Sequence, residues 1–303
     1  MARSIYIASP NAGTGKSTVA LGLVSCLTKV VAKVGVFRPF VESREGDAFL
    51  SLLLNRAGST TPPEQCVGAT WDEFHADPEE ALARIVDAYR AMAREHDVVI
   101  IDGSDFTDVA GNPELALNAR VAANIGVPVL LVVSGQNDVE DVVASVEVSM
   151  AEIADNHART VAVVANKCLP ETRQAVGEAL TAIEGITSTT LPEVPLLAAP
   201  VVREVLDAVE GTLIAGDETL LDREAESVLV CAMDVAHVLE RLTAGQLAIV
   251  PADRSAMLIS LMAAQASSSF PILSGLVLNG GFEVAPHALR LLEGLDVNIP
   301  VMT

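Results

Sequence analysis

The sequence predicts an α/β fold built on a doubly wound, mainly parallel sheet, followed by a second, smaller α/β region. Three observations lead there. Short apolar runs rich in Val and Ile alternate with amphipathic stretches of helical period along the chain. These runs are continuous rather than alternating polar and apolar, as expected of strands covered on both faces. A glycine-bearing loop ending in Lys16-Ser17 joins the first run to the first helical stretch, an arrangement that cradles phosphate between a strand and a helix N-terminus.

The first strand is expected at residues 5–8 and the first helix after the loop, where Val19, Leu21, Leu23, Val24 and Leu27 recur at helical spacing. Further strands are expected at 34–37, 98–101, 129–133 and 161–165, with helices at 78–94, 115–125 and 139–154 between them. Pro192, Pro195 and Pro200 interrupt the pattern, and so many prolines in a short space mark an inter-domain connection. The expected domains are therefore residues 1–192 and 200–303. In the second, strands are expected at 227–231, 247–250, 275–278 and 297–301, with helices at 234–242, 255–266 and 286–292. The chain stops at Thr303 directly after an apolar strand candidate, which reads as a cut rather than a natural end.

The loop is Ser9-Pro10-Asn11-Ala12-Gly13-Thr14-Gly15-Lys16-Ser17-Thr18. Its glycines let backbone N–H groups crowd around phosphate oxygens, and the helix end adds partial positive charge. Lys16 is placed to reach the outer phosphates and the Ser17 hydroxyl to help hold Mg²⁺. The glycine normally found six residues before the lysine, or seven in a related variant, is replaced by Pro10 and Ser9. A tight turn that no longer holds nucleotide is the alternative. A dinucleotide fingerprint fits less well, because Thr18 stands where its third glycine belongs.

Composition narrows the rest. Half of the 303 residues are apolar, and the net charge is −21 with no basic cluster in the sequence. The chain can bury a large core, and nucleic acid or an acidic membrane is a poor electrostatic match. No signal peptide and no membrane-length apolar run is read. Cys26, Cys66, Cys168 and Cys231 are scattered and read as reduced thiols of a cytoplasmic protein. The five histidines lack metal-ligand spacing. No nucleophile elbow or zinc-protease motif is present, and no catalytic residue is assigned.

Other candidate residues lie at expected strand ends, where ligands bind on such sheets. Asp102 closes the run at 98–101 and can hold Mg²⁺ opposite Ser17; Asp105 and Asp108 follow as weaker candidates. Arg38 can fork onto a phosphate or carboxylate, or pair locally. Asp47 can cap the next helix or supply a second metal carboxylate. Asn166, before Lys167, can hydrogen-bond an adenine edge. In the second half, Asp253 is expected to cap the helix beginning at Ser255, and Gly280-Gly281 to form either a turn or an anion nest.

In this order, these residues resemble a known family. Residues 1 to about 190 resemble the dethiobiotin-synthetase-like P-loop domain, through Gly15-Lys16-Ser17, Arg38-Pro39, Asp47, residues 98–103 and Asn166. Residues from about 200 onward resemble the DRTGG domain, through residues 250–254 and 278–281. The tandem is similar to the N-terminal half of long-form phosphate acetyltransferases. The resemblance implies ATP with Mg²⁺ as cofactor, bound by Gly13, Thr14, Gly15, Lys16, Ser17, Thr18, Arg38 and Asn166, with Ser17, Asp47 and Asp102 at the metal. It implies a regulatory and oligomer-supporting region that answers a small effector or nucleotide. The catalytic domain, which exchanges acetyl between coenzyme A and phosphate, has no counterpart here. This chain alone is therefore expected to be inactive in acetyl transfer and to associate into a homo-oligomer. Departures from dethiobiotin synthetases are Ser9 for glycine, Arg38 for lysine and Asp102 for glutamate, and Asn279 replaces the usual threonine of the DRTGG match. Arg38 serves poorly where a neutral or transferable amine is required. An ATP-dependent ligase or kinase and a non-enzymatic scaffold remain the alternatives.

Overall fold

The computed structural model describes residues 2–44, 46–104, 114–294 and 299–303. It divides into two compact units, Met1–Glu193 and Val194–Thr303. Among the described residues, no helix is long and apolar enough to cross a membrane.

The first unit runs β1 (Arg3–Ala8), α1 (Lys16–Leu27), β2 (Val34–Val41), α2 (Ala48–Ala57), β3 (Val67–Thr70), α3 (Trp71–Ala76), α4 (Pro78–Glu95), β4 (Val98–Asp102), α5 (Glu114–Ile125), β5 (Val129–Ser134), α6 (Val139–Asp155), β6 (Thr160–Cys168), α7 (Arg173–Thr181) and β7 (Thr187–Pro192). Its seven strands form one sheet in the order β3-β2-β4-β1-β5-β6-β7. Every pairing in it is parallel. The doubly wound α/β expectation therefore describes this unit. The central strands are buried on both faces; Tyr6, Ile7, Ile100, Ile101, Leu131 and Val132 are all fully buried. That is why their sequences read as unbroken apolar runs.

Several boundaries differ from the sequence expectation. β2 continues through Arg38-Pro39 to Val41 instead of ending at Phe37. Its pairing with β4 stops at Phe37↔Ile101, and beyond that point it pairs only with β3. Pro39, which has no N–H, therefore sits where β2 is an edge toward β4. β3 and β7 were not expected. β3 has only four residues, and β7 is the edge strand Thr-Ser-Thr-Thr-Leu-Pro, largely exposed. β6 extends past Ala165 through a register irregularity in which Lys167 takes a left-handed backbone, φ 59°.

The second unit comprises α8 (Val202–Ala208), β8 (Leu213–Ala215), β9 (Ser227–Val230), α9 (Val235–Leu239), β10 (Gln246–Pro251), α10 (Ser255–Gln265), β11 (Gly275–Asn279), α11 (Pro286–Gly294) and β12 (Val301–Met302). Its five-stranded sheet has the order β8-β12-β11-β10-β9, antiparallel only between β8 and β12. The last strand was expected to begin at residue 297; residues 297 and 298 lie outside the described residues, and the strand is seen at Val301–Met302. Asp253 does not cap α10. The turn closes through Arg254 N–H to Pro251 O at 2.9 Å, so Arg254 occupies the cap position and Asp253 falls one residue too early.

Beside the first sheet, Phe40 stacks on Trp71 with ring centroids 4.8 Å apart. Trp71 begins α3, whose start is held by a reciprocal cap. Thr70 Oγ1 accepts the Glu73 N–H at 3.3 Å, and Glu73 Oε2 accepts the Thr70 N–H at 2.9 Å. The Thr70 N–H bond, with help from Arg44 and Arg84, holds the Glu73 carboxyl below its ordinary pKa against the opposing effect of burial. Replacing Thr70 by Ala is expected to cost about 1 kcal/mol in urea denaturation. Because the folded pKa is depressed, the stability Glu73 contributes is present above its unfolded value of about 4.3 and is lost as pH falls through the folded value. The stability difference between wild type and Glu73→Gln, measured across pH, is expected to close over that window.

Candidate functional site

The loop between β1 and α1 emerges at the carboxyl ends of the central strands, β1 lying between β4 and β5. Gly13 and Gly15 both adopt left-handed backbone, φ 77° and 80°, which costs glycine nothing sterically. At Gly15 any side chain would also collide, since its Cβ would lie 2.3 Å from Asn166 Nδ2. Gly15 is the N-cap of α1, with no side-chain cap. Helix geometry leaves the N–H groups of the first turn without intrahelical partners.

Two residues at the end of β6 tether the loop backbone. Asn166 Nδ2 donates to Thr14 O at 2.9 Å, and Lys167 Nζ donates to Gly13 O at 2.7 Å. The left-handed turn at Lys167 brings it there. Asn166, expected to face an adenine edge, is thus buried under the loop with its amide nitrogen occupied.

Lys16 points inward. Its Nζ lies 2.7 Å from Asp102 Oδ1 and also donates to the Gly103 carbonyl. Lys16 and Asp102 are 1% and 0% exposed. The register explains the meeting: β1 and β4 pair with Ile7 opposite Asp102, and Gly103 N–H continues the ladder to Ile7 O at 2.9 Å. Arg38 Nε stands 3.4 Å from Asp102 Oδ2, and the Arg38 guanidinium pairs with Asp47 Oδ2 and lies 5.8 Å over the Phe49 ring. Charges therefore alternate from Lys16 to Asp102, Arg38 and Asp47. Asp47 also caps α2, accepting the Leu50 N–H at 2.8 Å. Here Arg38 pairs locally, and Asp47 caps α2 and pairs with that arginine.

Buried Asp102 Oδ2, Arg38 Nε and Thr14 Oγ1 have no hydrogen-bond partner among the described residues. Buried polar atoms are normally satisfied, so Asp102 Oδ2, beside Arg38 Nε, retains acceptor capacity. Ser17 is half-buried at the start of α1. Among the described residues, no three His, Cys, Asp or Glu side chains converge on a metal site. Asp105 and Asp108 lie outside the described residues.

Sequence reasoning missed the scaffold behind Asp102. Tyr6 Oη donates to Asn118 Oδ1 at 2.7 Å, which also accepts the Ser104 N–H at 3.0 Å. Burial first, then the nearby Asp102 and Glu114 charges, push the Tyr6 hydroxyl pKa well up, so it stays a donor at any ordinary pH. An asparagine inside an apolar helix pattern, 112 residues from its tyrosine partner, carries no local signal.

Residues 3–205 match the family model described as AAA domain, and residues 204–303 match the DRTGG domain. The chain is 28% identical over 320 residues to the phosphate acetyltransferase of Nitratidesulfovibrio vulgaris, and 25% identical over 315 residues to that of Synechocystis sp.. Each alignment covers 100% of this chain but 45% of the relative, so the chain spans about half the length of these relatives. Among solved structures, it is similar to chloroplast FtsY from Physcomitrella patens, with a TM-score of 0.45, 19% identity and coverage of 64% of this chain and 59% of that one.

Removing one member of a buried ion pair leaves the other uncompensated, typically at 3–5 kcal/mol. With Arg38 still 3.4 Å from Asp102, Lys16→Met is expected near the low end, about 3 kcal/mol. A double-mutant cycle with Asp102→Asn in urea should show a positive coupling energy, the double variant losing less than the two single losses added. Asn166→Ala strips the Thr14 carbonyl of its donor and is expected to cost about 1–3 kcal/mol, measured in the same denaturation series.

Proposed function

The chain belongs to the AAA domain family and carries a DRTGG domain behind that region, and from this premise we propose that it is the N-terminal regulatory region of a phosphate acetyltransferase. The observation that carries the reading is the collinear match: both domains, in order, account for nearly the whole chain, and relatives of that activity align with all of it. In this reading acetyl exchange between coenzyme A and phosphate belongs to a further domain that is a partner of this region, and residues 1–303 perform no transacetylation. The region answers a nucleotide or small effector and supports a homo-oligomer.

Within it, the phosphate loop is the nucleotide site. The residues fit ATP with Mg²⁺ in two respects: the loop glycines hold the backbone that a phosphate chain needs, and Asp102 keeps a buried oxygen that accepts no hydrogen bond, with only the Arg38 ion pair at 3.4 Å beside it. The amides from Gly13 to Thr18 would cradle the phosphates, and Lys16 would move from Asp102 onto them. Ser17 and Asp102 would hold the metal, which supplies charge neutralisation between phosphate oxygens. Asn166 and Lys167 act from behind, fixing the carbonyls of Thr14 and Gly13 so that the loop is shaped before ligand arrives. Because the resting lysine already has two acceptors, binding exchanges one set of charge-assisted bonds for another rather than adding a set. Affinity should accordingly be modest. Arg38, permanently charged and paired with Asp47, argues against the ligase reading.

Calorimetry with ATP and Mg²⁺ is expected to give a dissociation constant between about 1 μM and 1 mM, roughly −8 to −4 kcal/mol. Binding should be abolished in Lys16→Ala and weakened in the milder Ser17→Ala. Absence of heat in the wild type would leave the loop as a structural turn. A coenzyme A-dependent acetyl phosphate assay of the same chain should show no turnover; robust turnover would overturn the regulatory assignment.

A further inference from the structure

At the opposite ends of the central strands lies a groove of about 1210 Å³ that the phosphate-loop reading does not use. It is lined where β1 and β4 begin, by the last turns of α4 and by the segment leading into β5. Arg3 enters it from β1; Arg90 and Arg94 enter it from α4, one turn apart. All three are exposed, and among the described residues none makes an ion pair or side-chain hydrogen bond.

Their clustering is what sets the groove apart. The chain holds 19 Lys and Arg against 40 Asp and Glu, so three arginines lining one groove with a single acidic side chain among them form a local basic patch on an acidic chain. Three arginines elsewhere in this unit are paired: Arg38 with Asp47, and Arg44 and Arg84 with Glu73. Arg94 in the last turn of α4 is also favoured by that helix end's negative dipole, but this says nothing for Arg3 on a strand. The acidic group lining the groove is Asp97, and its Oδ2 already accepts the Lys33 N–H at 3.2 Å. His96 Nδ1 faces the Met92 carbonyl at 3.0 Å. Behind the arginines the wall is apolar, with Val31, Val127 and Pro128, and at its base the Tyr89 hydroxyl donates to Ser4 Oγ at 2.9 Å.

We propose that this groove is a second ligand site, which takes a compact organic polyanion. Two or more phosphoryl or carboxylate groups meet the Arg3, Arg90 and Arg94 guanidiniums, whose planar forks match both chemistries. The carbon body of the ligand lies on the apolar wall. The volume is ample for a small molecule. The site shares no residue with the phosphate loop, so a ligand here is additional to any nucleotide bound there.

The test titrates the full chain with pyrophosphate and, separately, with citrate, at an ionic strength of about 0.15 M so that long-range attraction is screened. At least one probe is expected to bind the wild type saturably. Arg90→Gln/Arg94→Gln should weaken it tenfold or more without changing the melting temperature, and Arg3→Gln, on a separate element, should repeat the loss even if the double variant melts early. Preference for pyrophosphate assigns a phosphoryl ligand, and preference for citrate a carboxylate ligand. A probe held by the phosphate loop is insensitive to these arginine changes. If neither probe binds, or if binding is the same in wild type and both variants, the proposal is overturned.

Discussion

A lysine ammonium and an aspartate carboxylate meet 2.7 Å apart in the interior of the first unit, and the candidate site is built around that contact. Two charges withdrawn so fully from water are costly unless each is well paired. The pairing needs β4 beside β1, in a register that sets Asp102 opposite Ile7. It needs Gly103, whose Cβ would otherwise press on Asn118 Oδ1 and Ile7 O at 2.6 Å. It also needs α1 to start at Lys16, which the left-handed Gly15 provides. Strand order, turn conformation and helix start are thus constrained by one ion pair.

The same contact defines what the loop can do. Lys16 is stored rather than displayed, and its release leaves Asp102 facing Arg38 alone. In the proposed reading, an anion that drew the lysine away would leave Asp102 to Arg38, and a metal ion arriving with a phosphate chain would restore a second cation beside it. The tethers from Asn166 and Lys167 act on the carbonyl side of the loop and hold its backbone independently of the Lys16 side chain. Arg38 and Asp47 form the outer end of the charge series, anchored to the start of α2.

The central strands were readable because both faces are buried: Ile100 and Leu131 have no solvent side to be polar on. β7 was hidden for the opposite reason, as an exposed edge of Thr and Ser looks like loop. β2 was expected to end at residue 37, and only the register shows that Pro39 misses no β4 partner there. At the site, Gly13, Gly15 and Lys16 were legible from local spacing, because the loop's requirements fall on adjacent positions, and Asp102 from its place closing an apolar run. Their directions were not. That Lys16 turns to Asp102, and that Asn166 serves the loop from beneath, depends on contacts 86 and 152 residues apart in the chain. The Tyr6–Asn118 bond and the arginine groove are likewise products of packing.

The most direct measurement is a crystal structure of the chain soaked with Mg²⁺ and a non-hydrolysable ATP analogue. The account predicts Lys16 Nζ withdrawn from Asp102 and within hydrogen-bond distance of a phosphate oxygen, with metal density between Ser17 and Asp102 and the Asn166–Thr14 bond unchanged. A fully occupied nucleotide elsewhere in the chain, with Lys16 still bound to Asp102 and Gly103, would contradict it.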